Sequence, residues 1–240
     1  MVKITIDDKV VEVEEGLTIL DAAMLAGINI PTICSHESLS PAGSCRLCTV
    51  EIKTNGRFNL AAACNYPVEA GLEVKTDSEK VLEARRLTVE LLLAQRPQSD
   101  KIQKLAQKLG IEAPRFTLKE RECILCDLCV RACHEIVGAD AITFIAKGKD
   151  RNIDEAVVVH SLEKCIGCDS CAFICPTEAI KVEDIGDTRI ISTPSGKLEF
   201  KLKQCKTCGK YWAPEKQLEY IIKKQNLEPE IFDTCPDCRD

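Results

Sequence analysis

The chain has 240 residues, of which 45% are hydrophobic and 29% charged, so it is neither a disordered chain nor a collagen-like repeat. Asp and Glu (38) outnumber Lys and Arg (32), and the net charge of −6 argues against a surface that binds nucleic acid. The 16 cysteines, against only 10 aromatic residues (6 Phe, 3 Tyr and 1 Trp), indicate that something other than a large aromatic core organises much of the chain.

The N-terminal residues, Met1 to Asp7, alternate in hydropathy like a strand and lack the pattern of a signal peptide. No apolar run reaches the about 18 residues that a membrane span needs. The sequence therefore predicts a cytoplasmic protein without a membrane span. Because thiols stay unpaired in that reducing compartment, the cysteines are expected to hold metal rather than to form disulfides.

Residues 1–77 predict a small α+β domain. Alternating apolar residues predict a hairpin over residues 2–13, Thr18 is the predicted N-cap of a helix, and Gly27 is where that helix stops. After a loop, the chain returns to a strand at Thr49.

Residues 78–118 predict a helical bridge. Ser78 is the predicted N-cap of an amphipathic helix that ends near Gln95. Ser99 is the predicted N-cap of a second helix, which ends at Gly110.

Residues 119–186 contain an internal repeat. Two runs of the form CxxCxxCxxxC begin at Cys123 and at Cys165, and each is followed by a short helix-like segment and an apolar strand, at 141–145 and at 179–182. The repeat indicates two equivalent structural units in one domain.

The 16 cysteines fall into four groups of four with none left over, and four is the ligand number of a metal site. Randomly placed, inert thiols would leave single cysteines between the groups. In chain order the groups are Cys34, Cys45, Cys48 and Cys64; Cys123, Cys126, Cys129 and Cys133; Cys165, Cys168, Cys171 and Cys175; and Cys205, Cys208, Cys235 and Cys238.

The first group is typical of a 2Fe-2S cluster. Its first gap, between Cys34 and Cys45, is longer than in the plant-type spacing, and the long gaps before Cys45 and Cys64 are foreign to zinc knuckles. Gly43 and Ser44 are small enough to let the loop wrap closely, so that backbone amides reach the sulfurs and offset their charge. Zinc is the alternative for this group.

Four stretches resemble a known family. The sequence is similar to the β-grasp 2Fe-2S domain that opens the large iron-sulfur subunit of respiratory complex I and the small diaphorase subunit of NAD-linked hydrogenases. Related modules occur in electron-bifurcating hydrogenases, transhydrogenases and some formate dehydrogenases. The resemblance covers about residues 1–185. The stretches are Thr18-Ile-Leu-Asp-Ala-Ala, Ile30-Pro-Thr-Ile-Cys-Ser-His, Gly43-Ser-Cys-Arg-Leu-Cys-Thr-Val-Glu-Ile and Arg85-Arg-Leu-Thr-Val-Glu-Leu-Leu-Leu-Ala.

The second and third groups form the double run of a two-cluster bacterial ferredoxin. In such runs the first three cysteines bind one 4Fe-4S cluster, and the fourth points at the neighbouring cluster. The sequence therefore predicts two 4Fe-4S clusters with crossed ligand sets, close enough together for electron transfer. One set is Cys123, Cys126, Cys129 and Cys175; the other is Cys165, Cys168, Cys171 and Cys133.

Residues 187–240 predict a small ribbon-like tail with a hairpin around residues 194–196 and a helix after Pro214. The fourth cysteine group consists of two knuckles, one on each side of that helix. Four thiolates in this pattern suit structural zinc, with a mononuclear iron or a further iron-sulfur cluster as alternatives. A zinc ion there would stabilise the fold of the tail. The tail is then expected to serve as a docking element.

One stretch departs from the family. In the family, the helix that corresponds to the stretch from Arg85 is followed by a His and three cysteines that bind a further 4Fe-4S cluster. Residues 95–104 of this chain contain neither His nor Cys. That cluster is expected to be absent. Complex I and formate dehydrogenase subunits also continue into a large domain beyond the matched region, so we expect a hydrogenase or a transhydrogenase to be the nearer relative.

The sequence contains several electron sites and no recognisable place for a substrate to react, since nucleotide-binding glycine motifs and nucleophile motifs are missing. It predicts an electron-relay subunit, without a substrate-converting site, of a cytoplasmic NAD(P)-linked oxidoreductase. The resemblance implies flavin and NAD(P) on a partner subunit and a second redox subunit that exchanges electrons with this chain. The alternatives are a free polyferredoxin carrier and an iron-sulfur sensing regulator.

Overall fold

The computed structural model describes residues 1–145 and 157–239. The chain divides into two compact units, Met1–Asp127 and Leu128–Asp240. The predicted domain boundaries at residues 77, 118 and 186 are finer than this division and stay a prediction. Part of the predicted 119–186 domain, residues 146–156, lies outside the described residues.

The first unit contains a five-stranded mixed sheet with the strand order β2-β1-β5-β3-β4, in which β1 and β5 are parallel and the other pairs antiparallel. The predicted N-terminal hairpin and the strand at Thr49 are confirmed. The apolar side of the sheet and the helix α1 enclose one buried core. The elements are β1 (Val2–Ile6), β2 (Lys9–Val13), α1 (Ile19–Leu25), β3 (Thr49–Thr54), β4 (Arg57–Ala62) and β5 (Glu73–Lys75).

Helix α1 begins where the sequence predicts. The Thr18 hydroxyl accepts a hydrogen bond from the Asp21 amide at 3.2 Å, and the Asp21 carboxylate accepts one from the Thr18 amide at 2.9 Å. This capping box satisfies two amides that have no partner within the helix. Beyond the last turn, Gly27 takes a φ of +73°, a conformation that favours glycine and ends the helix.

The helical bridge consists of α2 (Glu79–Gln95) and α3 (Asp100–Lys108), as predicted. The Ser78 hydroxyl accepts a hydrogen bond from the Val81 amide, whereas Ser99 occupies the cap position of α3 without such a bond. Side chains of both helices share one buried cluster with Leu47, which lies between the second and third cysteines of the first group. The bridge is therefore part of the support for that cysteine loop.

The second unit contains a two-stranded sheet, β6-β7, and a four-stranded antiparallel sheet of order β11-β10-β9-β8. The predicted hairpin around residues 194–196 and the helix after Pro214 are confirmed. The elements are α4 (Leu128–Arg131), a π-helical turn (Ala132–Val137), β6 (Ile142–Ile145), β7 (Val157–His160), α5 (Ser170–Phe173), β8 (Lys181–Ile185), β9 (Thr188–Thr193), β10 (Gly196–Gln204), β11 (Tyr211–Pro214), α6 (Glu215–Gln225) and two 3-10 turns (Pro229–Phe232 and Pro236–Cys238).

The repeat predicted from the sequence appears as two helical turns and two strands, α4 with β6 and α5 with β8. Each of these helical turns lies inside its cysteine run and carries the third cysteine. After the first run, the π-helical turn Ala132–Val137 continues past Cys133, as the predicted helix-like segment requires, whereas α5 ends at Phe173, before the last cysteine of the second run. The second strand starts at Lys181 rather than at residue 179. Within the described residues, every helix is too short or too polar to cross a lipid bilayer.

Candidate metal centres

The first cysteine group is assembled by one pair of strands and the loop before them. Cys48 immediately precedes β3, and Cys64 follows shortly after β4. Because Thr49 pairs with Ala62 in the antiparallel register, the two cysteines lie at the same end of the strand pair. Cys34 and Cys48 are buried to 1% exposure and Cys64 to 4%, so the sulfurs are largely withdrawn from solvent.

Backbone amides point at these sulfurs, as the small residues of the loop predict. The Cys45 amide donates to the Cys34 Sγ at 3.4 Å, and the Ser44 amide also points at that sulfur. The Gly43 amide points at the Cys64 Sγ. Gly43 has a φ of +68°, and a Cβ on it would lie 2.7 Å from the Asn65 side chain, so only glycine fits this position without a shift.

The four thiols form two pairs. Cys34 hydrogen-bonds to Cys45 and lowers its pKa to about 6, while Cys64 does the same to Cys48 and lowers its pKa to about 7. Within each pair one sulfur is thus already favoured as a thiolate, the form that binds metal. The hydrogen-bonded partner in each pair, Cys34 or Cys64, has a raised pKa and stays a thiol until metal displaces its proton. Two cysteine pairs suit a 2Fe-2S cluster, in which each iron takes two protein ligands.

Arg85 places a positive charge next to the first cysteine group, and the cysteine pattern does not predict it. Its guanidinium is buried at 5% exposure, and Nη2 donates to the Thr49 carbonyl at 2.9 Å, next to Cys48 along the chain. Burial lowers the pKa of Arg85, and the negative charge of a Cys48 thiolate opposes that change. The signal in the sequence is a lone cation on the buried stripe of α2, one helical turn from both Val81 and Val89.

The second cysteine group is divided between the two units, with Cys123 and Cys126 in the first and Cys129 and Cys133 in the second. The Leu125 amide donates to the Cys123 Sγ at 3.4 Å. In the second unit, the Ala179 amide donates to the Cys175 Sγ at 3.3 Å. The predicted ligand set of Cys123, Cys126, Cys129 and Cys175 rests on the spacing and stays a prediction.

The second unit brings Cys133 to the first three cysteines of the third group. Cys133, Cys165, Cys168 and Cys171 line one cavity, whose other walls include the apolar side chains of Val137, Ile142, Ile166 and Ile191. This is the juxtaposition that the crossed ligand set requires.

The walls of this cavity are chemically suited to a cubane cluster. Burial raises the pKa of Cys171 to about 12, and the thiolate charges of Cys168, Cys165 and Cys133 contribute to that rise. Four thiolates in this partly buried site repel one another, and a positively charged iron-sulfur core would offset that repulsion. The Ala141 amide donates to the Cys133 Sγ at 3.3 Å and reduces the charge that remains on that sulfur.

The fourth group is compact. Cys205 follows β10 and Cys208 lies in the next turn, while Cys235 directly precedes the last 3-10 turn and Cys238 is its last residue. Their four sulfurs all lie within 4.8 Å of one another, and the Cys208 and Cys235 Sγ atoms are 3.8 Å apart. The Cys235 amide donates to the Cys205 Sγ at 3.3 Å, and the amides of Cys208 and Cys235 lower the pKa of Cys205 to about 6.

These separations decide between a single ion and a cluster. Four thiolates at about 2.3 Å from a tetrahedral ion lie about 3.8 Å from one another. The thiolates of a cubane bind four different irons and stand farther apart. The sulfur positions therefore fit one ion, and they disfavour the further iron-sulfur cluster that the spacing left open.

Two family models match the chain. Residues 1–79 match a 2Fe-2S iron-sulfur cluster binding domain, and residues 122–179 match a 4Fe-4S dicluster domain. The match places the first cysteine group in the former domain and the second and third groups in the latter.

Curated relatives align over most of the chain. The alpha subunit of an NADPH-Fe(3+) oxidoreductase from Geobacter sulfurreducens is 35% identical over 206 residues, which are 74% of this chain and 24% of the relative. The NADP-reducing hydrogenase subunit HndD of Solidesulfovibrio fructosivorans is 34% identical over 211 residues, which are 75% of this chain and 36% of the relative. The mitochondrial NADH-ubiquinone oxidoreductase 78 kDa subunit of Candida albicans is 31% identical, over 63% of this chain and 25% of the relative. The chain thus spans about a quarter to a third of the length of these relatives.

A solved structure extends the likeness to nearly the whole chain. It is a crystal structure of an NAD+-reducing [NiFe]-hydrogenase in the H2-reduced state, and the matched chain is 25% identical with a TM-score of 0.57. The match covers 95% of this chain and 99% of that one.

Proposed function

We propose that this chain is an electron-relay subunit of an NAD(P)-linked oxidoreductase. Its N-terminal iron-sulfur region is like that of complex I and hydrogenase subunits, and it has one 2Fe-2S domain and one 4Fe-4S dicluster domain. The observation that carries the proposal is the combination of a buried, amide-lined four-thiol group in the first unit with the Cys133 cavity in the second. A substrate-converting enzyme would need an acid, base or nucleophile in a cleft, and the described cysteine sites hold ligand thiols instead.

The protein's own contribution is to set the surroundings of each electron site. When bound, the clusters supply one-electron transfer. Amides of Cys45, Ala141 and Ala179 stabilise charge on the ligand sulfurs, and the guanidinium of Arg85 adds a buried positive charge behind the first site. Apolar side chains form much of the wall of the Cys133 cavity and reduce the contact of the ligands with water.

The names of the relatives support the partners that we propose. An NADP-reducing hydrogenase and an NAD+-reducing [NiFe]-hydrogenase are among the proteins that this chain resembles. We place flavin and NAD(P) on one partner subunit and a hydrogenase or transhydrogenase module on the other side of the relay. Electrons then pass singly through the chain, while the two-electron chemistry of the nucleotide takes place on the flavin subunit.

The tail holds structural zinc in this proposal. The compact sulfur tetrad fits a tetrahedral ion, and the tail has few fully buried apolar side chains of its own. Zinc has no accessible second redox state, so it staples the tail without taking part in the relay, and the stapled tail docks a partner subunit.

The expected composition of the native complex tests this function. A complex purified anaerobically through a tag on this chain should contain flavin, together with nickel if the second module is a nickel-iron hydrogenase. Flavin without nickel points to an iron-only hydrogenase or a transhydrogenase. An untagged strain processed in parallel gives the background of both measurements. A flavin-free monomer on size exclusion would contradict the proposal and support a free polyferredoxin, and a shift of DNA mobility would support the regulator.

A further inference from the structure

We propose that an ion pair between Arg189 of the tail and Asp184, which lies just before the tail, tunes the reduction potential of the cluster held by Cys133, Cys165, Cys168 and Cys171. Both residues lie beyond the part of the chain that matches the dicluster family model, which ends at residue 179. The inference rests on the cluster assignment proposed above and adds a role for the tail that this assignment does not contain.

The ion pair is built into a hairpin. Asp184 on β8 and Arg189 on β9 are directly paired in the antiparallel register. Two hydrogen bonds join them, from Nε to Oδ1 at 2.7 Å and from Nη2 to Oδ2 at 2.9 Å. This bidentate arrangement fixes the plane of the guanidinium, whose side chain is only 12% exposed. The charge of Arg189 therefore has a defined position in a partly desolvated place.

The remaining guanidinium nitrogen of Arg189 contacts the cluster loop. Nη1 donates to the carbonyl of Gly167 at 3.2 Å, and Gly167 lies directly before Cys168. The same nitrogen lies 3.8 Å from the carboxylate of Asp169, on the other side of Cys168. The positive charge thus sits against the segment that presents the Cys168 sulfur to the cavity.

The loop is held against the tail sheet, so this contact cannot open freely. Gly167 has a φ of +76°, and a Cβ on it would lie 2.9 Å from the ring of Phe200 and 3.0 Å from Pro214. Phe200 and Pro214 belong to β10 and β11. Because these strands form one sheet with β9, the tail fixes the separation between Arg189 and the loop.

The electrostatic consequence is a pair of opposing effects. One-electron reduction adds one negative charge to the cluster site without a proton. A partly buried positive charge stabilises that reduced form and raises the potential, while a carboxylate at the same place lowers it. In the intact pair the two effects partly cancel. Removing Asp184 leaves Arg189 with Asp169 as its remaining counter-charge, and removing Arg189 leaves both carboxylates uncompensated. The two single variants are therefore predicted to shift the potential in opposite directions.

A redox titration of the anaerobically purified protein, followed by EPR with dithionite as reductant, measures these shifts. At a fixed potential near the midpoint, Arg189→Gln should lower the ratio of reduced to oxidised cluster about tenfold, a shift of about 59 mV for one electron. Asp184→Asn should raise the same ratio, and the double variant should give a ratio between those of the two single variants. Arg189→Lys keeps the charge and should stay near the unmodified protein.

The 2Fe-2S signal is the internal control and should not move in any variant, and only one of the two 4Fe-4S steps should shift. Shifts of the same sign in Arg189→Gln and Asp184→Asn, or no shift in either, would overturn the proposal, since a loosened loop changes both variants alike. If Arg189→Gln loses its cluster, Asp184→Asn decides the question alone, because it leaves the bond to Gly167 in place. Absence of 4Fe-4S signals in the unmodified protein would instead contradict the proposed function.

Discussion

Replacement of Cys175 with alanine is expected to abolish the cluster bound by Cys123, Cys126 and Cys129, while the cluster of the Cys165 run persists. Iron should fall from about ten to about six atoms per chain, because one cubane is lost and one cubane and one 2Fe-2S cluster remain. The reason is the predicted crossing of the fourth cysteine in each run. In the other direction, Cys133 lines one cavity with Cys165, Cys168 and Cys171.

Double variants test the crossing without any assignment of spectra. Adding Cys123→Ala to Cys175→Ala should leave iron at about six atoms per chain, because both changes damage the same cluster. Adding Cys165→Ala instead should reduce iron to about two atoms per chain, since the second cubane is then lost as well. The reverse pattern, with Cys165→Ala silent in the Cys175→Ala background, would show that each run binds its own cluster.

Replacement of Cys235 with serine is expected to release about one zinc ion per chain and to unfold the two cysteine knuckles of the tail, while the sheet that contacts Gly167 stays folded. Structural zinc in zinc-finger peptides contributes about 10 to 16 kcal/mol at neutral pH, more than a tail of this size gains from its core. The buried apolar side chains available there include Phe200, Leu202 and Leu218. Limited proteolysis should then cut the tail, and iron content should stay unchanged.

Metal analysis of the same variant distinguishes the alternatives for this site. Thr234→Ser is the matched control, since it changes the neighbouring residue and keeps all four thiols. Loss of about one iron atom in place of zinc would identify a mononuclear iron site. Loss of about four iron atoms would contradict the sulfur separations and restore the cluster that they disfavour.

Local sequence signals predict the elements around the first site well. The Thr18 cap, the Ser78 cap and the strand at Thr49 depend on neighbouring residues, and all three appear in the structure. The short strand β5 was missed, because its three residues carry no periodicity and its place is fixed by parallel pairing with β1. The added strands β7 and β11 have only four residues each, and they pair with the strands that precede them in the chain, β6 and β10.

The metal sites likewise combine features that local sequence predicts with features that only the fold defines. Cysteine spacing alone predicts that Cys133 leaves its own run, because the loop geometry is local to the motif. It cannot predict the sulfur separations in the fourth group, since its two knuckles lie on opposite sides of α6 in the chain and meet through the fold. Nor can it identify Arg85 or Arg189, whose contacts are to the backbone of Thr49 and Gly167, 36 and 22 residues away.

If the chain relays electrons from a nicotinamide nucleotide, the nucleotide should reduce its clusters in the native complex. The complex is purified anaerobically through a tag on this chain, mixed with NADH or NADPH, and frozen for EPR. The account predicts that the 2Fe-2S and 4Fe-4S signals of this chain appear after nucleotide addition, whereas the isolated chain responds to dithionite and to neither nucleotide. Clusters that dithionite reduces but that stay oxidised in the complex with both nucleotides would contradict a relay linked to NAD(P)H.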